Sequence, residues 1–248
     1  MGEIEYEVKS KIAYITLNRP KKLNAITIPM LDNLIDICRR FNEDGSAWVA
    51  ILSGKGRAFC TGIDLGEQKG QQIDVDNLYL AILGIKKPII AALHGYCLAQ
   101  GAGIALLCDI RIAAEGTLFG WPQVKRGMIS ISGSCIAPKY LPLNLIYEYL
   151  FTGELFDTSI ASKFNLINKI VPLDKLLITA EEIAFKISEN APLAVQGTKE
   201  AIINGLELPL KERLKIAKNI QNRIKQSKDY FEGIKAFSEK RKAIWIGE

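Results

Sequence analysis

Two short, wholly apolar segments, each followed at once by a glycine-containing turn, limit the folds open to this chain more than any other feature. Residues 48–52 run into a glycine-rich loop over residues 54–57, and Ile89–Leu93 runs into a turn at Gly95. Both runs have the length of a strand that is buried on both faces. The small-residue segment 99–105, which follows the second turn, predicts the start of a tightly packed helix.

Strands and helices alternate through most of the chain, and helices dominate its end. Residues 11–17 are rich in β-forming side chains, and Thr27 followed by Pro29 predicts a capped helix start. Short strands are predicted over residues 110–113 and 117–120, and a polar surface loop over residues 66–76. Helices are predicted over residues 159–164, 173–189, 191–204, 209–226 and 229–240. Asp157 or Thr158 is expected to cap the first of these helices. The pattern predicts an α/β core over residues 1–190 and a C-terminal helical region over residues 191–248.

The overall composition is that of an ordinary globular protein and argues against several classes of partner. Hydrophobic residues make up 48% and charged residues 24% of the 248 residues, which excludes a disordered chain. The formal net charge is +5, and the densest basic run, residues 240–242, is short, so we expect no nucleic-acid partner. The apolar runs are too short to span a bilayer, so we expect no membrane partner.

The cysteine and histidine content predicts no metal site and a reducing compartment. The five cysteines lack CxxC spacing, and most lie in apolar runs. His94 is the single histidine of the sequence, and the sequence shows no His/Cys cluster with metal-ligand spacing. We therefore expect reduced, buried thiols and a cytoplasmic location. Structural rather than catalytic roles are expected for His94, Cys60, Cys97 and Trp121.

Two glycine-containing junctions, residues 56–65 and 87–103, carry the strongest indication of chemistry. Each is expected to lead from a strand into a helix, and the first turn of a helix leaves backbone N–H groups unpaired at the positive end of the helix dipole. Two such donors pointing at one place form an oxyanion hole. Alternatively, the glycines serve only tight turns and close packing. Composition and spacing leave both interpretations open.

Five stretches of the sequence, taken in order, favour the interpretation that the two junctions form an oxyanion hole. They are Asn18-Arg19-Pro20 with Lys22-Leu23-Asn24-Ala25, and residues 54–65, 87–109, 119–127 and 237–242. Together they resemble the crotonase (enoyl-CoA hydratase/isomerase) superfamily over nearly the whole chain. The resemblance implies a crotonase-like α/β fold, a spiral of ββα turns with a C-terminal helical trimerisation region. It also implies an enzyme that acts on an acyl-CoA thioester, needs no cofactor beyond the coenzyme A moiety of its substrate, and assembles as a homotrimer or a dimer of trimers.

The resemblance assigns roles to individual positions of this sequence. The backbone N–H groups of Ile63 and Gln100 would hold the thioester oxygen as the substrate becomes an enolate. The coenzyme A path would be lined by Lys22, Leu23 and Ala25, the adenine would be surrounded by Thr61, Ile63, Asp64 and Leu65, and Phe237 and Lys240 would reach the coenzyme from a neighbouring subunit.

The chain departs from the superfamily at both positions where its hydratases carry a catalytic glutamate. Those positions hold Gly103 and Gln123, and neither residue ionises. A glutamine hydrogen-bonds a water or a substrate but removes no proton at neutral pH, so Gln123 is a candidate catalytic residue through hydrogen bonding alone. Residues 127–133 also lack the aspartates that some isomerases and dehalogenases use. Ordinary two-glutamate hydration is therefore not expected.

Three interpretations remain open at this point. In the first, a hydratase or isomerase takes its acid/base group from elsewhere, such as Glu67 or Glu115. In the second, the chain is an acyl-CoA decarboxylase or hydrolase of the same superfamily; decarboxylation needs little acid/base help, because the oxyanion hole alone stabilises the enolate. In the third, the chain is a non-catalytic acyl-CoA-binding or assembly protein.

Overall fold

Strands from successive parts of the chain build two sheets that lie at the centre of the molecule. The computed structural model describes residues 2–66 and 74–248. Within these residues the strands are β1 (Ile4–Lys9), β2 (Ile12–Leu17), β3 (Val49–Gly54), β4 (Ile89–Leu93), β5 (Tyr96–Leu98), β6 (Ile110–Ala114), β7 (Leu118–Gly120), β8 (Leu155–Phe156) and β9 (Lys169–Val171).

Helices surround these sheets and form the C-terminal part of the described chain. They are α1 (Ile28–Glu43), α2 (Asp76–Leu83), α3 (Gln100–Leu107), α4 (Ile131–Cys135), α5 (Leu143–Thr152), α6 (Thr158–Lys163), α7 (Leu176–Ser188), α8 (Pro192–Gly205), α9 (Leu210–Ile224) and α10 (Lys228–Ser238). Short 3₁₀ helices cover Pro20–Lys22, Pro122–Arg126, Ala137–Lys139 and Leu173–Lys175. No helix of the described part of the chain is long and apolar enough to cross a membrane.

The larger sheet has six strands in the order β1-β2-β3-β4-β6-β9, and the smaller sheet has the order β5-β7-β8. In the larger sheet β1 and β2 form an antiparallel hairpin, and the remaining pairings are parallel. In a second layer beside the large sheet, extended segments from successive turns of the chain pair in parallel: Ile26 with Ile63, Cys60 with Cys97, and Cys97 with Phe119. We call these segments the passages of the second layer. Each turn of the spiral therefore adds one strand to the large sheet and one passage to the second layer.

Both faces of the large sheet are covered, which explains why its central strands are continuously apolar. Along β3, Ala50 and Leu52 belong to the main core with helices α1 to α3. The alternate residues Val49 and Ile51 face the other way and pack with Leu176, Ala180 and Ala184 of α7. The period of two in side-chain direction thus divides one apolar run between two cores.

Several element predictions are confirmed, and one differs from the structure. Strand β4 has the predicted bounds, and α1 begins after Thr27, whose hydroxyl accepts from the Met30 amide at 3.2 Å. Asp157 caps α6 by accepting from the amides of Ser159 and Ile160. The first junction does not turn into a helix within residues 55–66, which contain turns and two isolated bridges, and the residues that follow lie outside the described chain. Most of the surface loop predicted over residues 66–76 lies outside the described residues.

The C-terminal helices pack on one another, and the side chain of Lys199 links them to the large sheet. An added Cβ on Gly197 of α8 would lie 2.3 Å from Ile224 of α9, so these helices meet closely at that glycine. The amine of Lys199 donates to Asp109 at 2.7 Å and to the Lys87 carbonyl at 3.1 Å, next to the start of β4.

Candidate active site

A cavity of about 400 Å³ opens where the passages of the second layer end. Its lining residues come from the first glycine junction, from the start of α3 and from the segment after β7; they are Leu23, Thr61, Ile63, Leu65, Val75, Leu98, Ala99, Gln100, Pro122, Gln123, Arg126, Met128, Ile129 and Ile131. Among the described residues, no Asp, Glu, His, Cys or Lys lines it. A larger groove of about 620 Å³ lies between α8 and α9 and contains neither predicted amide donor.

The amide of Ile63 borders this cavity and has no hydrogen-bond partner within the described chain. Ile26 uses the carbonyl of Gly62, at 2.7 Å, and the amide of Asp64, at 2.9 Å. In a parallel bridge of this kind the intervening residue directs its own N–H to the opposite side. The Ile63 amide therefore points away from Ile26.

The amide of Gln100 is unpaired for a different reason. Strand β5 ends with the bond from the Ala99 amide to the Gly120 carbonyl at 2.9 Å, and Gln100 is the first residue of α3. The first N–H groups of a helix have no intrahelical acceptor. Ala99 has φ 52° and ψ −120°, a conformation that is rare for a residue with a side chain and that clusters at functional sites.

The two loops that carry these amides lie in contact. A Cβ atom added to Gly62 would lie 3.4 Å from the Gln100 nitrogen, and one added to Gly101 would lie 2.5 Å from the Cys60 carbonyl oxygen. Helix α3 thus begins directly against the first junction, and a side chain at position 101 would separate them. The glycine at position 101 therefore serves close packing, and the neighbouring Gln100 amide stays unpaired beside the first junction.

Gln123 is buried, with 7% of its surface exposed, and its side chain borders the cavity. Neither its amide nitrogen nor its amide oxygen has a hydrogen-bond partner in the described structure. Buried side-chain amides are normally paired, so an orphaned one beside a cavity indicates a group that a ligand or water completes.

The space around Gly103 is filled by other side chains. Trp121 donates its indole N–H to the Ser132 hydroxyl at 3.1 Å, and that hydroxyl donates to the Ala99 carbonyl at 3.1 Å. Tyr79 is also close, and burial raises the pKa of its hydroxyl to about 12, so it stays protonated at neutral pH. Trp121 is 1% exposed and packs in the core, in agreement with the structural role predicted for it.

The positions predicted to contact the coenzyme fall into three groups. Leu23, Thr61, Ile63 and Leu65 line the cavity. Lys22, Ala25 and Asp64 do not; the Asp64 carboxylate accepts from Arg19 at 2.6 Å and from the Gly66 amide at 2.9 Å, and the Arg19 contact holds its pKa below the usual range. Phe237 and Lys240 also lie outside the lining of this cavity within their own chain.

The alternative reactive groups are placed unfavourably for chemistry in this cavity. Burial raises the pKa of Cys60 to about 12 and also raises that of Cys97, so both remain thiols. His94 contacts the Gly56 carbonyl at 3.0 Å, which supports the first loop, and burial lowers its pKa. Glu115 is exposed beside β9, and Glu67 lies outside the described residues.

Sequence reasoning did not single out Arg126, which lines the cavity three residues after Gln123. The structure places both residues on one side of the 3₁₀ helix Pro122–Arg126, which the sequence analysis did not predict. Within the described residues, no group of three or more His, Cys, Asp or Glu side chains is arranged to hold a metal ion.

The spiral of parallel turns, with a cavity where its passages end, defines an α/β protein of the crotonase class. The chain belongs to the enoyl-CoA hydratase/isomerase family, whose model matches residues 7–248. It is therefore a member of a family of lyases and isomerases that process acyl-CoA thioesters.

Individual relatives cover almost the whole chain. The (E)-benzylidenesuccinyl-CoA hydratase of Thauera aromatica is 32% identical, over 98% of this chain and 99% of its own length. The short-chain-enoyl-CoA hydratase of Clostridium acetobutylicum is 31% identical, over 98% of this chain and 97% of its own. The crystal structure of an enoyl-CoA hydratase from Bacillus anthracis superposes with a TM-score of 0.92 at 32% identity and covers 100% of both chains.

Proposed function

We propose that this enzyme binds an acyl-CoA thioester with its carbonyl oxygen between the amides of Ile63 and Gln100 and stabilises the enolate that forms from it. The observation that carries the proposal is that both amides are unpaired within the described chain and border one cavity. A donor of this kind contributes about 3 to 4 kcal/mol to the transition state. No cofactor beyond the coenzyme A of the substrate is required.

The coenzyme is proposed to approach over Leu23, Thr61 and Leu65, with Lys22, Ala25 and Asp64 on the same side. Leu23 and Thr61 are adjacent, since the Thr61 hydroxyl donates to the Leu23 carbonyl at 3.3 Å. The acyl group would then extend past Gln100 towards Gln123. Phe237 and Lys240 are proposed to contact the coenzyme of a neighbouring subunit in a homotrimer or dimer of trimers, with residues 191–248 as the assembling region and the cytoplasm as the location.

Enolate formation by loss of CO₂ is the reaction that the cavity favours over hydration. Hydration needs a group that activates water, whereas Gln123 does not ionise and the described lining holds no carboxylate. In decarboxylation the bond between the α-carbon and a carboxylate carbon breaks, CO₂ leaves, and its electron pair enters the enolate. The enolate then takes a proton from solvent to give the shorter acyl-CoA, so no protein base is consumed.

Mass spectrometry of acyl-CoA products tests this proposal on the purified protein. We expect malonyl-CoA or methylmalonyl-CoA to lose CO₂, and crotonyl-CoA to gain no water. Hydration of crotonyl-CoA at a rate typical of enzymes would contradict the preference for decarboxylation. Release of free coenzyme A would instead identify a hydrolase, and binding without any turnover would identify a non-catalytic acyl-CoA-binding protein.

The amide of Gln100 is tested separately by a pair of substitutions. Gln100→Pro removes the N–H at the first position of α3, where proline fits a helix, and we expect turnover to fall about 10² to 10³-fold. Gln100→Ala keeps the N–H and is expected to stay close to wild type. Circular dichroism and coenzyme A binding verify that both variants fold; equal activity of the two would remove the role proposed for this amide.

A further inference from the structure

We propose that Gln123 and Arg126 form a site for a carboxylate carried by the acyl group, so that the substrate is the coenzyme A thioester of a dicarboxylic acid. The inference rests on the proposed function, because it takes the thioester to be bound with its carbonyl at Ile63 and Gln100. We call the two side chains, Gln123 and Arg126, the carboxylate site.

Local backbone geometry brings the two side chains to one side. They are three residues apart in the 3₁₀ helix Pro122–Arg126, and a helix with three residues per turn aligns such positions. Both border the cavity. Lys125, between them, faces away and pairs with Glu154 at 2.5 Å. The helix therefore presents one amide and one cation to the cavity and directs its other cation to solvent.

The Gln123 amide supplies the first reason to expect a polar ligand. Its side chain is more than nine-tenths buried, and both its nitrogen and its oxygen lack a partner in the described structure. Desolvating an amide without replacing its hydrogen bonds destabilises the folded state. A ligand oxygen that accepts from the Gln123 N–H would restore the hydrogen bond missing at the nitrogen, whereas a purely hydrocarbon acyl chain would leave it unmade.

The Arg126 guanidinium supplies the second reason, and it is independent of the first. It donates to the Pro122 carbonyl at 3.4 Å, and it forms no salt bridge with any carboxylate that the structure describes. It is also the one charged residue among the described residues that line the cavity. Guanidinium groups bind carboxylates through two parallel hydrogen bonds, and a neighbouring amide N–H adds a third donor.

The position of the carboxylate site points to the acyl end of the ligand rather than to the coenzyme phosphates. The paired passages run in the order Ile26–Ile63, Cys60–Cys97, Cys97–Phe119. The carboxylate site follows β7, at the Phe119 end of this order, whereas Leu23 and Thr61 lie towards the Ile26 end. A thioester held at Ile63 and Gln100 would direct its coenzyme towards the Ile26 end and its acyl group towards the carboxylate site.

Calorimetric titration with matched thioesters tests the inference on the full-length protein. Succinyl-CoA differs from butyryl-CoA, and glutaryl-CoA from valeryl-CoA, in having a carboxylate in place of a methyl group. Neither diacid thioester has a carboxylate on its α-carbon, so decarboxylation does not interfere. We expect at least one of the diacid thioesters to bind about tenfold more tightly than its neutral partner, with a preference that falls as salt is added.

Two substitutions on the same 3₁₀ helix locate the preference. Arg126→Met is expected to abolish the preference, because it lowers the affinity for the diacid thioesters to that of their neutral partners. Lys125→Met removes the same charge from the adjacent, outward-facing position and is expected to keep the preference. Equal weakening of neutral and diacid thioesters by Arg126→Met would place the guanidinium at a coenzyme phosphate and overturn the inference.

Calorimetric titration of the wild-type protein alone also tests the inference. If both members of each pair bind equally well, the carboxylate site is wrong while the proposed function stands. If no thioester binds, the proposed function fails and the carboxylate site fails with it. Should Arg126→Met not fold, Arg126→Lys replaces it; a retained but weakened preference supports a bidentate contact, and an unchanged affinity for every thioester overturns it.

Discussion

Gly103 carries no side chain, and the volume that a side chain would need is occupied. A Cβ atom at this position would lie 2.5 Å from the Cβ of Ser132 and 3.1 Å from the Tyr79 hydroxyl. Ser132 is in turn fixed by its bonds with Trp121 and Ala99. A glutamate placed at position 103 alone would meet Ser132 and Tyr79, so we do not expect that substitution to create a hydratase site.

The stability of Gly103→Ala measures how tightly this neighbourhood is packed. We expect the free energy of unfolding to fall by about 1 to 2 kcal/mol, because overpacking outweighs the gain in helix propensity. Gly45→Ala is the control, since a Cβ there meets nothing within 4 Å. Urea denaturation of both variants gives the comparison, and a Gly103→Ala protein at least as stable as Gly45→Ala would show that the space is open.

The sequence allowed part of this site to be predicted at the level of single residues. The sequence itself has no ionisable side chain at Gly103 or Gln123, and the resemblance nominated the amides of Ile63 and Gln100, whose roles stay predictions. The packing of Ser132 against Gly103 and the position of Arg126 in the cavity lining depend on how distant segments of the chain pack. Neither has a local sequence pattern that reports it.

At the scale of elements, the loop that carries Ile63 is held by a partly buried ion pair rather than by a helix. Arg19, beside the 3₁₀ helix Pro20–Lys22, donates to Asp64 at 2.6 Å, and their side chains are 12% and 13% exposed. Asn24 adds a second link, because its side-chain amide donates to the Ala58 carbonyl at 2.7 Å. These contacts fix both ends of the first junction.

Asp64→Asn is expected to lower the free energy of unfolding by about 1 kcal/mol at neutral pH. Hydrogen bonding from Arg19 lowers the pKa of Asp64 below its ordinary value of 3.8, so the stabilisation is present above that value. It is lost as the pH falls through the lowered folded-state pKa, where wild type and variant should converge.

Denaturation curves at a series of pH values measure this convergence. The exposed pair of Asp36 and Arg39 provides the control, and Asp36→Asn is expected to change stability much less at every pH. A difference between wild type and Asp64→Asn that persists at low pH would mean that the carboxylate does not act through its charge.

The elements that were predicted well are those with a strong local signal. Strand β4 is wholly apolar, and α1 has a hydroxyl cap followed by proline. The edge strands β1 and β9 were missed because both are partly exposed, and β9 has only three residues, with Lys169 and Ile170 both facing solvent. No helix forms within residues 56–65, because that segment is instead paired with neighbouring turns at Cys60 and Ile63.

At the scale of the whole molecule, large apolar side chains remain exposed on the C-terminal helices. Phe237 is 88% exposed, and Ile202, Leu206, Leu210 and Phe231 are each more than half exposed. Apolar surface of this kind marks association sites in proteins. Phe237 of α10 and Lys240, two residues after the end of α10, lie outside the lining of their own chain's cavity. An assembly that brings them to a neighbouring cavity would account for both observations.

Sedimentation analysis over a range of protein concentrations tests this assembly. We expect a mass of three or six times 27.5 kDa for the wild-type protein, and a shift towards 27.5 kDa for Phe237→Ser. Phe151→Ser is the matched control, because Phe151 is also a highly exposed phenylalanine, 74%, but lies on α5 outside the C-terminal helices. We expect the two variants to differ because only Phe237 would be buried in the assembly. Burial of an apolar ring stabilises an interface by an amount that grows with the area removed from water. A wild-type protein that stays at 27.5 kDa at every concentration would contradict the assembly and require each cavity to be complete within one chain.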